Sequence, residues 1–238
     1  MTPAFENEGY CVCCDQRVTF SAAHSWFRDH YLCPKCGSIP RERALMHCLE
    51  SFSPAWRNCV IHESSPVFRG ASNKLRAACP GYVPSQYFPN VSPGSFQNAM
   101  RCENLERLTF ANNSVDIHVS QDVLEHVHRP ELAFKEIART LRPGGAHVFT
   151  TPLINKDKPS ERCIEIESNG RIRYLREPEY HGNPISEAGS LVTMRWGYDI
   201  CEFIHRHSEL FTEMIYIDSL ELGIRAEYIE VLITRKLR

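Results

Sequence analysis

Apolar residues recur at intervals of three and four at Ala44, Leu45, Cys48, Leu49 and Phe52, which predicts a helix over 41–52 that Ser53 and Pro54 end. A short apolar run, Cys59-Val60-Ile61-His62, closes on Glu63-Ser64-Ser65-Pro66, the pattern of a first parallel strand running into a loop. The stretch 71–78 reads as a second helix, stopped by Cys79-Pro80-Gly81. Tyr82-Val83-Pro84 is a candidate second strand, weakened by a proline that withdraws a ladder donor, and 88–97 has the Pro, Ser, Asn and Gly content of a loop. The clearest unit follows: a strand over 115–119, a turn or short helix over 122–126, a helix with Pro130 in its first turn and Ala133, Ile137 and Leu141 on one face, a break at Pro143-Gly144-Gly145, and a strand over 146–151. Strand, helix and strand in that order form a right-handed crossover and therefore a parallel sheet. Two alternating runs between Cys163 and Leu175 flank Ser168-Asn169-Gly170, a hairpin signature. A helix over 199–210 and two antiparallel strands over 214–218 and 228–234 complete an α/β pattern: a mostly parallel sheet with a C-terminal antiparallel strand.

At 238 residues the chain accommodates one α/β domain and a small appendage. No run of about 18 apolar residues could span a bilayer. The first ten residues carry neither a basic n-region nor an apolar h-region, so the expected compartment is the reducing cytoplasm, where paired cysteines are metal ligands before they are disulfides. A net charge of −2 shows no excess of Lys and Arg for a nucleic-acid backbone, which points to a small-molecule substrate rather than a nucleic acid. Oligomeric state is left open.

Among eleven cysteines, Cys11 and Cys14 form one C-x2-C pair and Cys33 and Cys36 another, eighteen residues apart. Each pair on a tight turn offers two thiolates to one ion, and Pro34 and Gly37 suit the second turn. Cys13 competes with its neighbours for a place in a four-coordinate site, and spacing selects Cys11 and Cys14. His24 and His30 could replace a thiolate but lie outside the knuckles. The expected result is a structural zinc ribbon over 1–40, closed to catalysis because four thiolates leave no open position, followed by a larger domain over 41–238.

The segment NNSVDIHVSQDVLEHVHRPELAFKEIARTLRPGGAHVFTTP, residues 112–152, resembles the middle of class I S-adenosylmethionine-dependent methyltransferases, in which a D-V-L-E-H-V-like turn precedes a helix, a P-G-G break and a further strand. Glu179-Tyr180-His181-Gly182-Asn183-Pro184 and Trp196-Gly197-Tyr198-Asp199 look similar to a bacterial subgroup with an N-terminal cysteine ribbon. The resemblance implies a Rossmann-like fold and S-adenosylmethionine as cofactor. It places Glu63 near the cofactor's methionine part, Glu103 with Asn104 and Leu105 at the adenine, and Gln121 and Asp122 at the border of the methyl-transfer cleft. Two departures stand out. The glycine-rich loop of the family is replaced by Glu63-Ser64-Ser65-Pro66-Val67-Phe68-Arg69-Gly70, where Ser64 and Ser65 can bind instead, and Gln86 stands where an acidic residue commonly grips the ribose.

Methyl transfer requires an aligned nucleophile and a group to take its proton, and His126 and His181 are the candidate bases, with Asp122 beside them. The insertion over 153–198 is expected to cover the cleft, its Arg171, Arg173, Arg176, Tyr174 and Tyr180 meeting a polar or anionic molecule. The leading expectation is methylation of an oxygen or nitrogen of a polar metabolite such as a sugar. The alternatives are an RNA methyltransferase that uses the ribbon for binding and a non-catalytic methyltransferase-like scaffold.

Overall fold

A computed structural model describes residues 4–183 and 187–237, so Pro184 of the second motif lies outside the described residues. The chain opens with a hairpin, β1 (Phe5–Cys11) and β2 (Gln16–Ala22), then a single helical turn α1 (Phe27–His30) and β3 (Tyr31–Leu32). Helix α2 (Pro40–Phe52) has Pro40 at its first turn and a Glu42 carboxylate reaching back to the Ile39 N–H, which satisfies an orphan donor. Next come β4 (Ile61–Ser64), α3 (Gly70–Ala78), β5 (Tyr82–Gln86), β6 (Phe96–Gln97), β7 (Met100–Cys102), β8 (Val115–Gln121), α4 (Pro130–Thr140) and β9 (Leu141–Thr150). The insertion carries six short strands, β10 (Glu161–Arg162), β11 (Ile164–Ile166), β12 (Ile172–Tyr174), β13 (Tyr180–His181), β14 (Ser190–Leu191) and β15 (Met194–Arg195). Helix α5 (Ile200–Ser208) and the strands β16 (Phe211–Ile215) and β17 (Val231–Arg235) close the chain.

The main sheet has the order β16-β17-β9-β8-β4-β5-β7-β6. Strands β9, β8, β4, β5 and β7 run parallel, whereas β17 is antiparallel to both its neighbours. This is a mostly parallel, Rossmann-like arrangement, with order reversing at β4. Side-chain alternation along the buried strands covers both faces. Ile117, Val119, Ala146 and Val148 pack with α2 and α3, while Phe149 and Leu232 pack with α4 and α5.

Several boundaries differ from the sequence expectation. The first strand begins at Ile61, two residues later than the apolar run, and the second extends to Gln86 with Pro84 inside it, paired opposite Glu63. Pro143-Gly144-Gly145 does not separate helix from strand: α4 ends at Thr140 and β9 runs through the three residues from Leu141, with a register shift against β8 between Val115 and Ile117. Strand β7, too short to show a period, is an unforeseen member of the parallel set. The hairpin of β11 and β12 does turn at Gly170, whose φ of +83° suits a residue without Cβ.

The cysteine-bearing lobe is continuous with the main core. Phe20 and Tyr31 belong to the same buried cluster as Leu45, Leu49 and Val231. Arg43, fully buried, donates to Gly223 O at 2.9 and 2.6 Å and to Tyr31 O at 2.8 Å, and its guanidinium lies 4.5 Å from the centre of the Phe20 ring. Gly223 sits at φ +62°, and a Cβ there would come within 2.6 Å of Phe20. Among the described residues no helix is long and apolar enough to cross a membrane.

Candidate active site and cysteine centre

The carboxyl ends of the parallel strands open into a cavity of about 1340 Å³, lined by Ser64, Ser65, Gln86, Glu103, Asn104, Leu105, Gln121, Asp122, Glu125, His126 and His181 among others. In open parallel sheets the ligand crevice lies there because adjacent loops diverge where strand order reverses. Ser65 adopts φ +55° and donates its N–H to Ser85 O at 2.8 Å, so the serine-rich loop turns sharply without glycine. Gln121 at the end of β8 donates through Nε2 to Glu63 Oε1 at 3.0 Å, while its Oε1 is buried with no hydrogen-bond partner. That orphaned acceptor at the cavity wall suits an ammonium or hydroxyl of a ligand.

Two acids expected to face the cofactor are engaged by the protein itself. Glu63 is fully buried and absent from the cavity lining: Tyr82 donates to Oε2 at 2.6 Å, and Ser72 donates to Oε1 at 2.7 Å beside Gln121. Burial raises its carboxyl pKa. Glu63 therefore ties β4 to α3, β5 and β8, and the serines after it reach the cavity. Glu103 does border the cavity, but its carboxylate accepts from Arg101 Nε at 2.6 Å, the Thr109 N–H at 2.9 Å and the Thr109 hydroxyl. Asn104 Oδ1 accepts the Glu106 N–H at 2.9 Å, a local turn that presents Leu105 to the cavity.

The turn after β8 is clamped from outside the sheet. Asp122, at φ +53°, accepts from Arg28 Nη2 at 2.7 Å and Thr150 Oγ1 at 3.0 Å, and its Oδ2 lies 2.9 Å from Arg41 Nε. Burial opposes ionisation, but the two guanidiniums prevail and hold its pKa down to about 2. An ionised carboxylate so engaged is a poor proton acceptor, so Asp122, expected beside the two candidate bases as part of the catalytic set, positions the turn instead. Arg28 comes from α1 and Arg41 from α2, contributions that no local pattern reveals.

Glu125, His126 and His181 converge on the other side of the cleft. Thr151 donates to Glu125 Oε2 at 2.9 Å, and burial lifts the Glu125 carboxyl to about 7, with Asp122 adding to the effect. His126 Nδ1 lies 2.9 Å from Leu191 O, and burial lowers its pKa. The two imidazoles meet edge to face at 5.1 Å, although fifty-four residues separate them. Thr193 straps the insertion to the turn through its N–H, at 2.7 Å from Glu125 O. The insertion's arginines do not enter the cavity. Arg173 pairs with Glu165, Arg176 with Glu161 at 2.7 Å, and none of Arg171, Tyr174 and Tyr180 is in the lining, which instead takes Ile166, Ile172, Leu191 and Met194 from this segment. Local acids take up the charges of Arg173 and Arg176.

Cys11, Cys14, Cys33 and Cys36 bring their four sulfurs within 4.8 Å of one another, with Cys11 to Cys36 at 3.7 Å and Cys14 to Cys33 at 3.8 Å. Four sulfurs around one ion at about 2.3 Å stand about 3.8 Å apart, so the set fits a tetrahedral ion. Cys13 turns away and donates to Glu42 O at 3.7 Å, which resolves the competition within the first knuckle. His24 and His30 are exposed and outside the group.

Residues 84–149 match the family described as a methyltransferase domain. An uncharacterized methyltransferase of Mycobacterium marinum is 33% identical over 113 residues, which cover 47% of this chain and 40% of that relative. The S-adenosylmethionine-dependent methyltransferase of Mesorhizobium loti superposes with a TM-score of 0.48 at 13% identity, covering 81% of this chain and 97% of the other. For the 1,6-didemethyltoxoflavin-N1-methyltransferase of Burkholderia thailandensis, with bound 1,6-didemethyltoxoflavin and S-adenosylhomocysteine, the values are 0.49, 15%, 83% and 79%. The matched segment runs from within β5 to within β9, the stretch that holds the parallel crossover of the Rossmann-like sheet.

Proposed function

We propose that this protein transfers a methyl group from S-adenosylmethionine to an oxygen or nitrogen of a polar small molecule, such as a sugar or related metabolite. The observation that carries the reading is the cavity at the carboxyl ends of the parallel strands, within and beside the segment that matches a methyltransferase domain, with a buried unpaired acceptor at Gln121 Oε1. When bound, the cofactor supplies a methyl group activated on a sulfonium. Ser64, Ser65 and Gln121 would hold its amino-acid part, Gln86 its ribose hydroxyls, and Asn104 and Leu105 its adenine, on a strand end that Glu103 braces. A cavity above the usual range of about 300–1,000 Å³ leaves room for an acceptor beside it.

On the acceptor side, the Leu191 carbonyl fixes the Nδ1–H tautomer of His126, so Nε2 presents a lone pair for the acceptor's proton. His181 closes the same wall from the insertion. Asp122, held ionised by Arg28 and Arg41, keeps the turn in place. Cys11, Cys14, Cys33 and Cys36 would hold a structural zinc, an N-terminal ribbon packed against the catalytic lobe. Titration calorimetry of the zinc-loaded protein with S-adenosylhomocysteine should show one site per chain, and no binding by folded protein would overturn the enzyme reading. Zinc content should be lost in Cys33→Ser; retention would refute the ligand set.

A further inference from the structure

Glu125, His126 and His181 place one carboxylate and two imidazoles with their donor atoms all within 4.8 Å of one another. Glu125 is 1% exposed, and its Oε1 has no hydrogen-bond partner, the nearest cationic candidate being His126 Nε2 at 3.8 Å. A buried carboxylate oxygen left unpaired is costly, and a cation relieves that cost most directly. The surroundings orient each donor. Thr151 holds Oε2 at 2.9 Å and so turns Oε1 toward the histidines. A carbonyl only accepts, so His126 carries its proton on Nδ1 toward Leu191 O at 2.9 Å and aims the Nε2 lone pair at the same space. His181 has Glu179 Oε1 at 3.5 Å from its Nε2, and its partly exposed ring lies edge to face with His126 at 5.1 Å. A backbone carbonyl on one imidazole, a carboxylate beside the other and a hydroxyl on the acid are the outer contacts that orient ligands around protein-bound metals.

We propose that Glu125, His126 and His181 hold a divalent transition-metal ion in the cleft, with coordination positions left for an oxygen of the methyl acceptor. Two imidazoles and one carboxylate suit zinc, iron(II) or cobalt(II) and form a set that keeps open positions, unlike the four thiolates of the ribbon. The inference rests on the methyl-transfer reading for its second half, and it recasts His126 and His181 from proton acceptors to ligands. A hydroxyl bound to such an ion ionises more readily and releases its proton to solvent, so the favoured acceptor class is a diol or hydroxycarbonyl compound able to give the ion one or two oxygens.

The test is equilibrium dialysis of the full-length, zinc-loaded protein against micromolar cobalt(II), with both metals measured and the visible spectrum recorded. One cobalt per chain alongside retained zinc, without a thiolate charge-transfer band, is expected. Glu125→Gln and His181→Ala should each weaken cobalt binding by about tenfold or more while zinc content and circular dichroism stay unchanged. Cobalt taken up only in exchange for zinc, no uptake at all, or equal uptake by the folded variants would overturn the site. S-adenosylhomocysteine titration of the same samples separates the two readings: cobalt bound without the nucleoside defeats the methyl-transfer reading alone, and the nucleoside bound without cobalt defeats the ion site alone.

Discussion

Gln121 and Arg43 show how single side chains serve the site in opposite ways. Gln121 leaves a buried oxygen unpaired at the cavity wall, so it contributes more to a bound ligand than to the empty fold. Gln121→Leu is therefore expected to weaken S-adenosylhomocysteine binding by about tenfold, the value of one hydrogen bond to a charged group, and to lower the melting temperature through the lost bond to Glu63, which keeps Tyr82 and Ser72 as donors. Calorimetry and a melting curve on the same preparation check this, and unaltered affinity would remove Gln121 from the cofactor site. Arg43 is the converse, a buried cation whose donors are spent on main-chain carbonyls of the cysteine lobe and of the Gly223 turn. Arg43→Leu strands those carbonyls and should lower unfolding free energy by about 3–5 kcal/mol in urea titration. Neither role was legible in the sequence: an arginine between Glu42 and Ala44 in a helical pattern reads as a solvated residue.

At the scale of the strands, β4, β8 and β9 carry a row of buried histidines under the α4 face. His62 Nδ1 and His118 Nδ1 are 2.8 Å apart, His62 Nε2 is 2.7 Å from Ser85 Oγ, and His118 Nε2 is 2.9 Å from Thr140 Oγ1. Thr140 donates to Glu136 O at 2.8 Å, so it accepts from His118; His62 then donates through Nδ1 and accepts from Ser85. His147 bonds Ser120 Oγ at 2.9 Å and stacks on Phe149 at 4.3 Å. All three are neutral in the fold. Burial lowers His62 and His147 to about 3 and His118 well below the usual value, with the Arg101 cation adding to the shift of His62. Because the folded pKa values are depressed, the stability they leave intact is complete above about pH 6.5 and is lost as pH falls below it, where the unfolded chain takes up protons. At pH 5 the loss is roughly 2 kcal/mol per histidine, a large share of a marginal total. Urea midpoints should fall steeply between pH 7 and 5, and less steeply in His147→Met; a flat profile would contradict neutral burial. The strands themselves were readable from runs of apolar residues, but histidines at alternate positions of β8 and β9 could equally have met solvent until register set them side by side.

On the scale of the whole molecule, the cysteine lobe and the cleft are one mechanical unit. Arg28 and Arg41 reach from the lobe and the helix after it to Asp122, whose turn carries Glu125 and His126. Chelation of the zinc proposed for the four cysteines should therefore weaken S-adenosylhomocysteine binding as well as lower the melting temperature. In Arg28→Ala, zinc is expected to remain while cofactor affinity falls severalfold. Calorimetry with metal analysis checks both, and chelation that melts the lobe without changing affinity would show the two to be independent.

The sequence by itself determined the two cysteine pairs that gather into one cluster, the parallel crossover of 115–151, the hairpin at Gly170 and the antiparallel ending, because each is set by spacing within a few dozen residues. It also marked the Asp122 to His126 turn, which lines the cavity at the strand ends. Tertiary structure alone decided which groups face the cleft. It turned Glu63 inward onto Tyr82 and Ser72, paired Arg173 and Arg176 with local acids, brought Arg28 to Asp122 across ninety-four positions, and set His181 beside His126. Those outcomes depend on strand register and on where a loop returns, and a local pattern of residues does not carry that information.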